Sequence, residues 1–363
     1  MGKKKTQQKT LKDAAAYLKG IIPANIPESY ALKPMFKKIS SEENIRSGIL
    51  AYRDFLYLFC DRLIADGNLY DKPVKNIDSH LSMEARFPLL CNINNVLFKI
   101  GYRGRLADND ESLVLRDPQL LCSSARAEGG CGKSNLSAVK VVEALRFLAN
   151  CGFSFDGIEL DTPKPTLPKL TKLEVTYPDN PAVLTGMKVM AIAQKELRTK
   201  INHEIFQWCD YRVLMAEEPD AASRLNDFAH SLPVKIQDFV LKMNRHWLEA
   251  GLICNPSYCG IDLGFHYFHK KNEVCSFFSS PVSGYRLMIK AQNTQKYPDT
   301  IKGFPLPLQE KIARGYGCNP KKFGEPCQNG CHGFSFSLDD SALKLAKEIM
   351  IWIDKELSCL QRK

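Results

Sequence analysis

The densest group of potential metal ligands in this chain is a cysteine loop near the C-terminus. Cys318, Cys327 and Cys331 lie within fourteen residues, separated by eight and then three residues, in a segment rich in glycine and proline. Zinc binds four soft ligands at tetrahedral angles, and glycine turns allow thiolates to converge on it. We predict that any bound metal is structural zinc, held by these cysteines and one distant ligand. A disulfide or redox pair and three reduced thiols are the alternatives.

A second segment matches the loosest form of a phosphate-binding loop. Residues 127–134 read AEGGCGKS, and the last three positions of the motif are Gly132, Lys133 and Ser134. Such a loop binds phosphate through backbone amides at the start of a helix. A helix capped by Ser134 or Asn135 is predicted here. The preceding DPQLLCSSA is not the apolar strand that normally leads into such a loop, so a chance match is the alternative.

Aromatic residues are concentrated in three strand-like runs of the second half, GFHYFHKK, EVCSFFSS and YRLMIKA. Aromatic side chains on one face of a sheet can line a ligand pocket. We name four candidates for such a pocket: Phe265, Tyr267, Phe277 and Tyr285. Packing in the hydrophobic core is the alternative for the same residues.

The sequence favours a binding protein over an enzyme, because it contains no nucleophile elbow, paired-carboxylate signature or His-Glu-x-x-His motif. We therefore predict a non-enzymatic module that binds a small molecule or a protein. One alternative is a nucleotide-dependent enzyme that uses the loop at 127–134. Another is nucleic-acid binding through residues 1–12, which contain five lysines.

Two pairs of predicted helices occur in the same order in the two halves of the chain. DFLYLFCDRLIADG at 54–67 corresponds to DFVLKMNRHWLEAG at 238–251. NPAVLTGMKVMAIAQKEL at 180–197 corresponds to DSALKLAKEIMIWIDKEL at 340–357. Amphipathic helices resemble one another by chance, so the shared order carries the argument. We predict that the two halves arose by duplication of one unit.

The predicted fold is α+β, with two related units in tandem, each built as helix, antiparallel meander, helix, strand and helix. We predict four segments: a basic tail and lead-in at 1–34, a first unit at 35–200, a connecting segment at 201–227, and a second unit with the cysteine loop at 228–363.

Within these units, one helix is predicted over about 234–250 and one strand over LEVTY at 173–177. GFSF occurs twice, at 152–155 and 333–336. Either this pair belongs to the repeat, or LEVTY is the true counterpart of the second GFSF.

The composition indicates a folded protein of ordinary size. The chain has 363 residues, of which 44% are hydrophobic and 25% are charged, and a net charge of +10. No apolar stretch reaches the length of a membrane span, and the start lacks the apolar core of a secretory signal. The thirteen cysteines are an odd number and are scattered, which is typical of buried reduced thiols. We therefore predict a cytoplasmic location and no membrane partner.

Three segments resemble an uncharacterised family of bacterial hypothetical proteins: YPDNPAVLTGMKVMAIA at 177–193, GYGC at 315–318 and ELSCLQRK at 356–363. The resemblance covers most of residues 35–363. It implies a bacterial, cytoplasmic protein, and it brings no activity, cofactor or catalytic residue.

Overall fold

The computed structural model describes nine stretches of the chain: residues 10–70, 86–128, 134–161, 167–197, 205–217, 219–259, 261–281, 283–313 and 334–361. These residues form eleven α-helices and two antiparallel sheets, so the predicted α+β class is confirmed. The chain divides into a first unit, Met1–Glu218 with Cys259–Ile261, and a second unit, Pro219–Tyr258 with Asp262–Lys363. Within the described stretches, no helix has both the length and the apolar character that crossing a membrane requires.

The first unit has a small four-stranded sheet with the strand order β1-β2-β4-β3. Its strand pairs are antiparallel. Its described helices and strands are, in chain order, α1 (Leu11–Ile21), α2 (Glu42–Tyr70), α3 (Pro88–Arg103), β1 (Arg105–Leu106), β2 (Ser112–Leu115), α4 (Ala138–Asn150), β3 (Ser154–Asp156), β4 (Leu173–Thr176) and α5 (Ala182–Leu197).

Helix α1 corrects the predicted basic tail and lead-in at 1–34. It begins at a capping box, in which the Thr10 hydroxyl accepts a hydrogen bond from the Asp13 backbone N–H and the Asp13 carboxylate accepts one from the Thr10 N–H. Its apolar stripe, which includes Ala14 and Leu18, is buried, and the helix packs against α2. The segment from residue 10 onward is therefore part of the first unit. Residues 1–9 of the tail lie outside the described residues.

Helices α2 and α5 approach each other so closely that only glycine fits at their crossing. A Cβ atom added to Gly186 would lie 2.0 Å from the carbonyl oxygen of Gly48. The close approach buries the neighbouring Tyr52 and Met187 completely. This crossing positions α5 along α2 and fixes the centre of the first unit's core.

Residues 205–214 are predicted to lie in the connecting segment at 201–227, but all ten of them are buried in the first unit. The hydroxyl of Tyr52 donates to the carbonyl oxygen of Phe206, 3.1 Å away, and the Gln194 side-chain oxygen accepts from the Phe206 N–H. Because α2 and α5 satisfy these backbone groups, the segment can be buried without regular structure. It is core rather than linker.

The second unit has a five-stranded sheet with the strand order β5-β6-β7-β8-β9. Its helix over 234–250 and its three central strands are confirmed, and the helix predicted over 340–357 is present as two helices, Asp340–Lys344 and Ala346–Gln361. The strand Ile253–Cys259 and the helices Ala221–His230 and Pro298–Lys302 were not predicted. The described elements are α6 (Ala221–His230), α7 (Val234–Glu249), β5 (Ile253–Cys259), β6 (Asp262–His269), β7 (Asn272–Ser280), β8 (Gly284–Ile289), α8 (Pro298–Lys302), α9 (Leu306–Ala313), β9 (Phe334–Ser337), α10 (Asp340–Lys344) and α11 (Ala346–Gln361).

A buried carboxylate ties α11 to the segment that follows β8. Glu356 is almost completely buried, and it accepts hydrogen bonds from the backbone N–H of Asn293 (3.0 Å), the Asn293 amide (2.7 Å) and the Tyr297 hydroxyl (2.8 Å). These donors compensate for the burial of the charge. The same helix supplies Trp352, whose ring packs on Phe334 of β9.

The two units share part of their order of elements. Strand β4, formed by LEVTY, pairs with β2 and precedes α5, and β9 pairs with β8 and precedes α10 and α11. The first GFSF lies instead around the edge strand β3, which pairs only with β4 among the described strands. In the order of elements, LEVTY of the first unit, rather than the first GFSF, therefore corresponds to β9 of the second unit. Duplication of one unit stays a prediction.

Candidate ligand-binding site

Most of the predicted site residues that could bind metal or phosphate lie outside the described residues. This holds for Cys318, Cys327 and Cys331, and also for Gly132 and Lys133. Among the residues that the structure describes, no group of three or more His, Cys, Asp or Glu side chains is placed to hold a metal ion. Structural zinc in the cysteine loop stays a prediction.

The described surroundings of the 127–134 loop differ from those of a phosphate-binding loop. Ser134 is exposed and does not begin the next helix. The cap of α4 is Ser137, whose hydroxyl accepts from a backbone N–H in the first turn, so the prediction of Ser134 or Asn135 as the cap is wrong. The segments before the loop are 3-10 helices at Pro118–Cys122 and Arg126–Glu128, where the motif requires a strand. The amides at the helix start therefore do not adjoin the motif.

Three of the four aromatic residues predicted to line a pocket, Phe265, Tyr267 and Phe277, belong to the core of the second unit. The ring centre of Trp247 on α7 lies 4.8 Å from that of Tyr267 and 5.1 Å from that of Phe277. Phe265 and Tyr285 pack against a phenylalanine ring of α6. Because α6 and α7 cover this face of the sheet, Phe265, Tyr267 and Phe277 are buried, whereas Tyr285 is partly exposed. For the three buried rings the pocket prediction is corrected to core packing, and for Tyr285 it stays a prediction.

A cavity of about 520 Å³ lies in the first unit and was not predicted from the sequence. It is partly open and lies between the start of α1, the end of α2, the start of α3 and one stripe of α4. The apolar part of its described wall is formed by Leu11, Leu69, Phe87, Pro88, Leu89 and Phe147. Cavities of this size accommodate small organic molecules.

Helix α4 presents two different faces, and one of them forms a wall of the cavity. Residues three and four apart in a helix lie on the same side. The core-facing stripe consists of Val141, Ala144, Leu145 and Leu148, which are buried. The cavity-facing stripe consists of Lys140, Glu143, Phe147 and Asn150.

The charged side chains around the cavity are mainly positive. Arg86, Lys140 and Arg146 line it, together with one carboxylate, Glu143. The Arg146 side chain is held in place because its Nε donates to the carbonyl oxygen of Leu160. Among the lining residues that the structure describes, three cations against one anion give a net charge of +2, which favours a negatively charged ligand.

Sequence reasoning could have found one side of this cavity but not the other. The spacing of Lys140, Glu143 and Asn150 places polar side chains on one stripe of α4, which is a detectable signal. Arg86 and Phe87 precede α3 and follow no recognisable pattern. Their contribution depends on how α3 packs against α4, which only the fold decides.

No family model, curated protein or solved structure matches this chain.

Proposed function

We propose that this protein is a small-molecule-binding module, whose first unit takes an organic anion in the cavity between α1, α2, α3 and α4. The observation that carries this proposal is the combination of a partly open cavity of about 520 Å³ with three cationic side chains and one carboxylate among its described lining residues. The proposal assigns no chemical reaction to the site.

The shape of the cavity supports a ligand with a carbon framework. Ligand sites are mostly apolar with a few polar groups that orient the ligand. Here Leu11, Phe87 and Phe147 offer apolar contacts, and the amides of Asn92 and Asn150 offer both donors and acceptors. A ligand with an apolar body and an anionic end fits this distribution better than a bare inorganic ion.

The first turn of α3 adds to the positive potential. Pro88 occupies its first turn, and Phe87, the capping position, makes no side-chain hydrogen bond to the helix. The positive end of the helix dipole thus has no carboxylate or hydroxyl cap. Since Phe87, Pro88 and Leu89 all line the cavity, this helix end faces the proposed ligand together with Arg86.

The test is a binding screen by calorimetry and thermal shift, in which organic anions such as benzoate, citrate and phosphate monoesters are compared with neutral analogues of the same shape. Lys140→Glu should weaken anion binding by roughly tenfold, and Glu143→Gln should strengthen it by about threefold. Lys355→Glu is the matched control, because Lys355 is an exposed lysine on a helix of the second unit.

Asn150→Trp tests the location, since it fills the cavity from an exposed position at the end of α4. It should abolish binding with little change in melting temperature. Asn226→Trp, on an exposed position of α6, should leave binding intact.

Neutral analogues that bind as tightly as the anions would contradict the proposal, as would anion binding that survives Asn150→Trp. Selective stabilisation by ATP with magnesium, lost in Lys133→Ala, would favour the nucleotide-dependent enzyme instead. Salt-sensitive duplex binding that is lost when residues 1–12 are deleted would favour the nucleic-acid alternative.

A further inference from the structure

The sheet of the second unit has a second face with different chemistry. Its strands are in register, so that one row on the helix-covered face consists of Phe265, Phe277, Leu287 and Phe336, all buried. Side chains alternate between the two faces of a sheet, so the residues between these lie on the opposite, outer face. One row of the outer face consists of Gly264, Phe278, Arg286 and Ser337. The neighbouring row consists of His266, Ser276, Met288 and Ser335.

Two neighbouring polar groups on this outer face are buried without a hydrogen-bond partner among the described residues. They are the Nε–H of Arg286 and the hydroxyl of Ser335. Arg286 is opposite Ser337 and Met288 is opposite Ser335 in the register of β8 and β9, so Arg286 and Ser335 are diagonal neighbours. Diagonal side chains lie about 7 Å apart at the backbone and can reach a common atom. Buried donors require an acceptor, and here two unpaired donors belong to diagonal positions of the sheet.

Glu273, His266 and Lys290 on this face are matched with one another. Glu273 accepts hydrogen bonds from Nδ1 of His266, 2.8 Å away, and from the Lys290 ammonium. Burial alone would raise the pKa of Glu273, but the hydrogen bonds from His266 and Lys290 outweigh it and lower that pKa. Glu273 therefore stays ionised and offsets Lys290. Arg286 keeps its positive charge without an ion-pair partner in the described part of the chain.

We propose that this outer face binds the carboxylate of a small organic acid. The Nε–H and one Nη–H of Arg286 form a side-on fork that matches the two oxygens of a carboxylate. The Ser335 hydroxyl donates a third hydrogen bond to the same group. The proposal is independent of the cavity in the first unit, because it depends only on strands β6–β9.

The flanking residues select an acid with an apolar body. Phe278 lies directly opposite Arg286 in the register, and Met288 is its neighbour two positions along β8. Both side chains are partly exposed, as are those of Arg286 and Ser335 taken as a whole, but the Nε–H of Arg286 and the Ser335 hydroxyl are themselves covered. A ligand on this face therefore reaches these two donors only once their side chains turn outward. An aromatic or aliphatic monocarboxylate would place its carbon framework on Phe278 and Met288 while its single charge matches Arg286.

The experiment follows the Nε–Hε signal of Arg286 by NMR in the full-length, isotope-labelled protein, with the signal assigned by its loss in Arg286→Lys. Sodium benzoate, acetate, methyl phosphate and chloride are titrated at constant ionic strength. Benzoate should give a saturable shift at lower concentration than acetate, and chloride should give none. Lys140→Glu and Asn150→Trp, which disable the cavity of the first unit, should leave this titration unchanged.

Variants separate a specific site from a general salt effect. Measured by calorimetry in the Asn150→Trp background, Ser335→Ala should weaken benzoate binding by roughly tenfold, because it removes a hydrogen bond to a charged group. Arg286→Lys should weaken it further. Arg245→Lys, at an exposed position of α7, should change nothing. A non-saturable shift, an equal response to chloride, or unchanged affinity in Ser335→Ala would overturn the proposal.

Discussion

Lys99, on α3, is a lysine whose whole side chain is buried. Its ammonium group donates to the carbonyl oxygens of Leu120 (3.0 Å), Leu121 (3.2 Å) and Ser123, and also to the Ser123 hydroxyl. These carbonyl groups lie at the end of a 3-10 helix, and that of Leu120 also accepts hydrogen bonds from the backbone N–H and the hydroxyl of Ser123. Burial lowers the pKa of Lys99 from its usual 10.5 to about 8. A lysine in this environment holds the 118–123 segment against α3.

The lowered pKa predicts how the contribution of Lys99 to stability depends on pH. The unfolded state binds the lysine proton up to about pH 10.5, whereas the folded state releases it near pH 8. The unfolding free energy contributed by Lys99 should therefore be smallest below pH 8 and should rise between pH 8 and 10.5. Urea unfolding of the wild type and of Lys99→Met at pH 7, 8.5 and 9.5 measures this contribution as the difference between their unfolding free energies at each pH.

Lys99→Met should be destabilised at every pH by about 2–4 kcal/mol, because the buried carbonyl groups lose their donor. The gap to the wild type should widen as the pH rises, while the exposed Lys355→Met should show a constant gap near zero. A gap for Lys99→Met that does not change with pH would contradict the lowered pKa.

At the scale of elements, the crossing of α2 and α5 predicts opposite outcomes for two glycines. In Gly186→Ala the new Cβ would lie 2.0 Å from the Gly48 carbonyl oxygen, so the helices must separate. In Gly67→Ala, within α2, the nearest heavy atom is 3.6 Å away, an ordinary contact with Lys12. Gly186→Ala should lose about 2–4 kcal/mol of unfolding free energy. Gly67→Ala should gain up to about 1 kcal/mol from helix propensity.

Urea unfolding of both variants against the wild type measures these changes. Tyr52 and Phe206, which lie beside the crossing, should also lose near-ultraviolet circular dichroism in Gly186→Ala. Equal unfolding free energies for Gly186→Ala and Gly67→Ala would contradict the close approach of α2 and α5 at Gly186.

At the scale of the whole molecule, buried thiols in both units make stability sensitive to alkaline pH. The described cysteines are free thiols. Burial raises the pKa of Cys151 to about 12 and that of Cys254 to about 11, and it raises the pKa values of Cys60, Cys209 and Cys275 as well. These thiols are protonated in the fold at pH values where the unfolded chain ionises them.

A raised pKa in the folded state gives stability that is present below about pH 9 and is lost as the pH rises. Between pH 8.5 and 10 the unfolding free energy should fall by about 1 kcal/mol for each buried thiol, with a reducing agent present throughout. This loss opposes and exceeds the gain from Lys99. Urea unfolding should show that Cys60→Ala loses less unfolding free energy between pH 8.5 and 10 than the wild type does. The difference should equal the contribution of one thiol. Identical pH dependence in both proteins would show that Cys60 ionises normally in the fold.

The sequence by itself determined the class of the fold and the nature of its main elements. Alternating and helical apolar spacings predicted the helix at 234–250, the strand at 173–177 and three strands of the second sheet, because these patterns reflect which side of an element is buried. The composition predicted buried reduced thiols, and the described cysteines are free. What failed were assignments by local composition alone, such as the connecting segment at 201–227 and the lead-in at 1–34.

Only the tertiary structure decided what surrounds each side chain. The sequence shows that Phe265, Tyr267, Phe277 and Tyr285 are aromatic, but the packing of α6 and α7 decides that the first three are buried and that Tyr285 is partly exposed. The cavity combines α1, α2, α3 and α4, which are separated along the chain, and the outer face brings Arg286 beside Ser335 across 49 positions. Local patterns encode which face of an element is buried, whereas the neighbours that meet there depend on the packing of the whole unit.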